Sequence, residues 1–212
     1  REGEEPIMSE TKRGPWTVRA ERTAYDNPWI RVSEYDVLRP DGSPGLYGVM
    51  QPKFIAVGIV PVFPDGDTLL VGQHRFALDA FSWECPEGGG DPNGDPEQTA
   101  RRELAEETGW RARDYREICR FDVSNSVTDE RAVGYLATGL EAGSPDRDSS
   151  EADMQMRRLP FHEAYAMAMS GKIRDGFSII LLSAAAHLAR TGGLDRALGA
   201  VMLPDEICGA AP

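Results

Sequence analysis

The sequence predicts an α/β protein, with an N-terminal group of strands ahead of a main domain in which strands and helices mix. Three observations carry that expectation. Residues 54–63 form a continuous apolar run rich in β-branched side chains, as a buried strand requires. Residues 95–109 hold a helix with both a start and a stop signal. Residues 160–169 and 177–190 read as two more helices. The second of these is apolar nearly all round and is therefore expected to be well buried.

Taken in order, residues 1–15 are polar and are expected to be a frayed or artificially appended tail. Their first six residues lack the apolar centre of a signal peptide. Residues 16–52 are expected to form an N-terminal β extension. Within it, 17–23 and 29–38 alternate apolar and charged side chains, Pro40-Asp41-Gly42-Ser43 is a turn, and 46–50 continues the pairing. The main domain is placed at 53–192. It opens with the apolar strand, turns at Pro64-Asp65-Gly66-Asp67 and returns through 68–72. Later strands are expected at 117–123, 131–138 and 153–159, with a loop over 141–150 that is rich in Gly, Pro, Ser and Asp. Residues 193–212 are expected to be a C-terminal tail.

The chain has 212 residues, a length for one domain with extensions or two small ones. Its net charge of −12 argues against a non-specific nucleic-acid binder, because phosphate contacts need clustered Lys and Arg. A phosphorylated small molecule remains open if a divalent cation bridges the like charges. Cys85, Cys119 and Cys208 match no zinc spacing and no disulfide framework, which fits a reducing cytoplasm. His74, His162 and His187 are scattered and read as surface or packing residues. No run of about 18 apolar residues exists, so no helix is expected to cross a membrane.

The chemistry concentrates in residues 84–110. Asp95 suits the N-cap of the central helix, Pro96 its first position and Gly109 its left-handed end, giving a helix of about 96–108. At 100° per residue, Glu103, Glu106 and Glu107 share one arc, beside the core-facing Ala100 and Leu104. Like charges one turn apart destabilise a helix by about 0.2–0.5 kcal/mol per pair, a repulsion that a hard divalent cation with a taste for oxygen ligands would offset. Arg102 stands one turn before Glu106 and can orient its carboxylate. Three glutamates alone describe a solvated helix face at least as well. The run Gly88-Gly89-Gly90 is what distinguishes the two readings, since it lets backbone approach a ligand closely and feeds a helix start that offers N–H groups to phosphate.

This stretch closely resembles the Nudix box: Gly, five residues, Glu, seven residues, then Arg-Glu-hydrophobic-any-Glu-Glu-any-Gly-hydrophobic. Gly88 matches the opening glycine, and residues 102–110 match the whole second half at the correct spacing. One position departs, for Gly94 stands where the box has its first Glu. Gln73-His74-Arg75-Phe76, Trp83-Glu84-Cys85-Pro86-Glu87-Gly88, Asn27-Pro28-Trp29 and Leu159-Pro160-Phe161-His162-Glu163-Ala164 look like the ADP-ribose and nucleotide-sugar branch.

The resemblance implies an α/β/α sandwich with a mixed sheet, commonly a homodimer whose N-terminal strands reach the partner. It implies hydrolysis of a diphosphate bond in a nucleoside diphosphate derivative, most simply ADP-ribose or a nucleotide sugar. Coenzyme A, a dinucleoside polyphosphate, or a degenerate sensor that binds without cutting are the alternatives. Mg²⁺ or Mn²⁺ would be held by Glu103 and Glu107, by Glu106 as a third ligand or orienting carboxylate, and by the backbone carbonyl of Glu87. Glu151, in the late loop, is the choice of general base; Gln155 stands where another Glu would be expected. For substrate, the resemblance adds Gly88 and Gly89. Arg75 is either a phosphate clamp or one half of a surface ion pair, and Trp83 and Trp29 either stack on a base or ribose or pack in the core.

Overall fold

The computed structural model describes residues 10–146 and 153–204, which divide into two compact units. The first comprises residues up to 55 together with 122–131, and the second comprises 56–121 and 132 onward.

The first unit is an antiparallel sheet of β1 (Thr11–Arg13), β2 (Trp16–Asp26), β3 (Ile30–Leu38) and β4 (Pro44–Pro52), in that order. Alternation along β3 sends Ser33, Tyr35 and Val37 to one buried face, where Val18, Trp16, Tyr47 and Val49 join the aromatic and aliphatic cluster. The link over 123–130 folds along the free edge of β4, with Met50 N–H donating to Val127 C=O at 2.9 Å. That contact satisfies groups that an open edge would leave exposed.

The second unit is the expected α/β/α sandwich. One sheet runs β8 (Glu87–Gly90), β5 (Ile55–Pro61), β10 (Arg131–Ala142), β9 (Trp110–Asp122). The other runs β11 (Gln155–Pro160), β6 (Asp67–Arg75), β7 (Ala80–Glu84). β5 and β10 pair in parallel from Ala56↔Ala132 to Pro61↔Ala137. Val57, Ile59 and Val60 are fully buried, as the unbroken apolar run demands. Helix α1 (Pro96–Thr108) packs on β8, and α2 (Phe161–Met169) on β6 and β11. Helix α3 (Gly176–Arg190) lies against α2 and buries Ser178, Leu181, Leu182, Ala185 and Ala186. Gly58 and Gly134 are register partners and form a notch. A Cβ on either would meet a Leu181 methyl, at 2.6 Å and 2.3 Å respectively, so the bare backbone lets α3 seat close to the sheet.

Four expectations are corrected. Residues 11–13, expected to lie in a frayed tail, form strand β1, because a turn at Gly14 folds them back onto β2. The triple glycine, expected to feed the helix start, lies wholly in strand β8, and the turn falls on 91–94, where Gly94 N–H donates to Asp91 C=O at 3.0 Å. Helix α3 is amphipathic rather than buried all round, for Ile180 is 38 % exposed. Residues 193–212 are not simply a tail, since Arg196–Met202 forms helix α4. The Asp195 carboxylate caps it from the N–H groups of Ala197 and Leu198, and Met202 and Leu203 join the main core. Met202 is fully buried, so Met202→Ala is expected to lower unfolding free energy by about 2–5 kcal/mol, measured by urea titration.

Candidate active site

Helix α1 starts and stops for local reasons. Asp95 Oδ1 accepts the Glu97 N–H at 3.0 Å, Pro96 fills the first turn, and Gly109, at φ 75°, returns its N–H to Ala105 C=O. Its buried side holds Ala100 and Leu104, and beside them Glu103 and Glu107, only 6 % and 2 % exposed. Glu106 stands further out, its side chain 38 % exposed. Arg102 links the arc. Its guanidinium donates to Glu106 at 2.6 Å, to Glu103 at 2.5 Å and to the Gly89 carbonyl at 2.9 Å, so it holds two carboxylates and the edge strand at once.

The edge strand β8 meets this arc at its start. Glu87 N–H donates to Glu107 Oε2 at 3.1 Å. At Gly88 a Cβ would stand 2.1 Å from the Glu103 carboxyl carbon, so that carboxylate occupies the space a side chain would take. The departure at 94 also has a local fit. A Cβ there would press on Asp91 at 3.1 Å, and Asp95 next to it is the helix cap.

Behind β8 lies a second charged group that sequence reasoning missed. Arg75 forks onto Glu84, with Nε 2.9 and 3.0 Å from its two oxygens and Nη2 on Oε2 as well, and Nη2 reaches Glu87 at 3.4 Å. Glu84 is 3 % exposed. Arg75 therefore neutralises a buried carboxylate, rather than forming the surface pair considered above, and such a charge is costly to leave alone. Burial pushes the Glu87 carboxyl well above the usual carboxylate range; Asp175 and Glu84 add to the shift, Arg75 opposes it, and Glu107 adds a little more. Its Oε2 is buried without a hydrogen-bond partner.

This predicts a pH effect. A carboxyl with a raised folded pKa ionises first in the unfolded chain. The fold is unpenalised below the ordinary carboxylate range and loses stability as pH climbs toward the folded value. Glu87→Gln removes that loss. Its melting temperature in EDTA should exceed that of the wild type by a margin that widens from mildly acidic to alkaline pH, about 2–4 °C for each kcal/mol.

Trp83 is partly buried, packs on the core and meets Phe81 edge-on at 5.3 Å. Trp29 lies in the first unit and is 65 % exposed, next to Asn27, whose Oδ1 accepts the N–H groups of Trp29 and Ile30. Gln155 opens β11. Glu151 lies outside the described residues. The structure thus brings together Arg75, Glu87, Gly88, Gly89, Arg102, Glu103, Glu106 and Glu107.

Among the described residues, no three His, Cys, Asp or Glu side chains are gathered as a ready cation cage. Arg102 instead supplies positive charge to Glu103 and Glu106. The donors nonetheless suit a hard divalent ion: they are all oxygen, two glutamates are nearly buried, and one buried carboxylate oxygen of Glu87 lacks a partner.

Residues 52–177 match the NUDIX domain, and residues 16–50 match the nucleoside diphosphate sugar hydrolase N-terminal domain. The chain belongs to the NUDIX family. It is a Nudix pyrophosphohydrolase, a hydrolase of phosphoanhydride bonds in nucleoside diphosphate derivatives. It is 37 % identical over 159 residues to the ADP-ribose pyrophosphatase of Mycobacterium tuberculosis, covering 74 % of this chain and 76 % of that protein. It is 32 % identical over 169 residues to the CMP-5'-(N-acetyl-N-hydroxy-3-aminopropyl)phosphonate hydrolase of Streptomyces rubellomurinus, covering 79 % of this chain and 81 % of the relative. The crystal structure of an ADP compounds hydrolase superposes with a TM-score of 0.76 at 18 % identity, covering 86 % of this chain and 98 % of that one, and shares the Nudix fold. No helix among the described residues is long and apolar enough to cross a membrane.

Proposed function

We propose that this Nudix protein cleaves the diphosphate of ADP-ribose or a related nucleotide sugar, with Mg²⁺ or Mn²⁺, releasing a nucleoside monophosphate and a sugar phosphate. The observation that carries the reading is the close packing of the Glu103 carboxylate against the bare Gly88 backbone. It joins the two halves of the sequence motif into one surface rich in oxygen ligands. The match of residues 16–50 to a nucleoside diphosphate sugar hydrolase domain supports the substrate class. So does the relative named for ADP-ribose.

Glu103, Glu107, Glu106 and the Glu87 carbonyl would hold the ion. Bound there, it would neutralise the diphosphate and lower the pKa of a water. Arg102 orients Glu103 and Glu106 and steadies the Gly89 carbonyl. Gly89 is proposed to let the diphosphate approach backbone, and Gly88 to bring the Glu103 carboxylate, with any ion it holds, against that diphosphate. Arg75, through Glu84 and Glu87, sets the charge beside the site and is proposed to clamp a phosphate oxygen. Trp83 is proposed to contact the base or ribose, and Glu151 to take a proton from the attacking water. The scattered cysteines favour a reducing cytoplasm, and the family resemblance favours a homodimer.

The test incubates purified protein with Mg²⁺ or Mn²⁺ and a panel of ADP-ribose, nucleotide sugars, coenzyme A and dinucleoside polyphosphates, following monophosphate release. Turnover of ADP-ribose or a nucleotide sugar ahead of the rest supports the reading. Preference for coenzyme A or a dinucleoside polyphosphate overturns the substrate class, and tight binding without turnover identifies a sensor. Light scattering tests the dimer, which a monomer at micromolar concentration would contradict.

A further inference from the structure

Residues 84–88 lead from the end of β7 into β8, where Glu87 and Gly88 meet the α1 carboxylates, and four polar points along this strip are held by different elements. The Glu84 carboxylate is held by Arg75 of β6. The Pro86 carbonyl accepts the Ile59 N–H of β5 at 2.8 Å. Glu87 N–H donates to Glu107 of α1 at 3.1 Å. The remaining point is Cys85, whose N–H donates to Ser178 Oγ of α3 at 2.8 Å, across 93 residues of sequence.

Ser178 is fully buried, and its own place is fixed from two sides. Its N–H donates to the carboxylate of Asp175, the α3 N-cap, at 2.6 Å. One turn along the same helix face, Leu181 fills the notch over Gly58 and Gly134. Helix α3 is thus seated on the sheet by an apolar contact, and its first turn presents one hydroxyl to the back of the active-site strip. The NUDIX match ends at residue 177, so Ser178 lies just past it.

We propose that Asp175 and Ser178 are positioning residues for the reaction: by fixing the Cys85 N–H they set the register of Glu87 and Gly88 against Glu107 and Glu103. The physical reason is the cost of an unpaired buried donor. Without the hydroxyl, the Cys85 N–H has no acceptor in a fully buried setting, and the strip must shift to find water. Two residues on, that shift opens the Glu87–Glu107 hydrogen bond; three residues on, it changes the fit of Gly88 to the Glu103 carboxylate. The inference rests on the proposed hydrolase reading and adds residues to it that touch neither substrate nor metal. Partners of this supporting kind typically change metal affinity or activity by roughly 10–100-fold when removed.

The experiment compares wild type with Ser178→Ala, Ser178→Thr and Asp175→Ala in three measurements: kcat and KM for ADP-ribose with Mg²⁺, Mn²⁺ affinity without substrate by electron paramagnetic resonance, and amide hydrogen exchange at Cys85 and Glu87. Ser178→Ala is expected to lower kcat and Mn²⁺ affinity by roughly 10–100-fold, to leave KM within a few-fold, and to speed exchange at Glu87 as well as Cys85. Ser178→Thr, which keeps the hydroxyl, should restore all three. Asp175→Ala, which removes the cap together with a negative charge that acts on Glu87, should move exchange at Cys85 and Glu87 less and in the same direction, and that exchange carries the test if Ser178→Ala does not fold. A variant that is merely less stable, with kcat per folded molecule, Mn²⁺ affinity and Glu87 exchange unchanged, overturns the proposal. Mn²⁺ binding and exchange need no substrate. A wild type that ignores ADP-ribose therefore defeats the substrate reading while these two measurements still decide the positioning role.

Discussion

Glu107→Gln should reduce kcat by at least about a thousandfold, which corresponds to about 4 kcal/mol of transition-state stabilisation, while leaving the fold in place. The two parts of this expectation have separate causes. Gln keeps a carbonyl oxygen of the same reach, so the 3.1 Å hydrogen bond from Glu87 N–H has an acceptor in the variant. It also keeps the shape and volume of a nearly buried side chain and removes the cost of desolvating its charge. What it loses is a charged oxygen ligand, and stabilisation of transition-state charge by a bound ion is worth several kcal/mol. Steady-state kinetics with Mg²⁺, alongside thermal melting in EDTA, read the two parts independently. A melting temperature at or above wild type with turnover nearly abolished is the expected pair of results. Loss of both together would make Glu107 a structural residue.

Gly88→Ala should lower activity by roughly a hundredfold or more, equivalent to about 2.7 kcal/mol, with only a modest loss of stability. The added methyl would stand 2.1 Å from the Glu103 carboxyl carbon, closer than any two such atoms approach. What must yield is the end of a flexible glutamate side chain and not backbone, so the strand survives. Gly88 does not adopt a left-handed conformation, and alanine therefore adds no backbone strain there. The displaced carboxylate would no longer present its oxygens beside Glu107, and its 2.5 Å contact with Arg102 would break. Kinetics and calorimetric melting measured on one preparation test this. A variant that melts normally and turns over normally would show that Glu103 has no fixed role.

The acid-bearing helix was legible because its signals are local. A cap, a first-turn proline, a terminal glycine and a four-residue periodicity all lie within fifteen consecutive positions, and the helix spans Pro96–Thr108 as expected. The β5 strand was legible for the same reason. The partners of the strip 84–88 were not, because their information is non-local. Glu84 reads as an ordinary charged residue until β6 brings Arg75 beside it. Ser178 reads as a small polar interruption in an apolar helix until α3 is seated over β5 and β10. Its one sequence signal was Asp175 followed by Gly176 and an apolar run, the pattern of a capped helix start. Helix α4 was missed because it has only seven residues and its apolar positions make sense only against the core they complete. The glycine run, expected to feed the helix start, forms a strand although glycine weakens strands. Here it tolerates β8 because close contact with α1, and not side-chain packing, fills that edge.

The central claim is that the α1 carboxylates and the start of β8 together grip a divalent ion against a phosphate chain. The most direct measurement is anomalous diffraction from a crystal soaked in Mn²⁺ and a non-hydrolysable ADP-ribose analogue. The account predicts a peak bounded by oxygens of Glu103, Glu107 and the Glu87 carbonyl, with Arg102 withdrawn from Glu103 and the analogue's diphosphate in contact with the ion. Clear density for the analogue with no metal among these residues, and Arg102 still paired to Glu103, would contradict it.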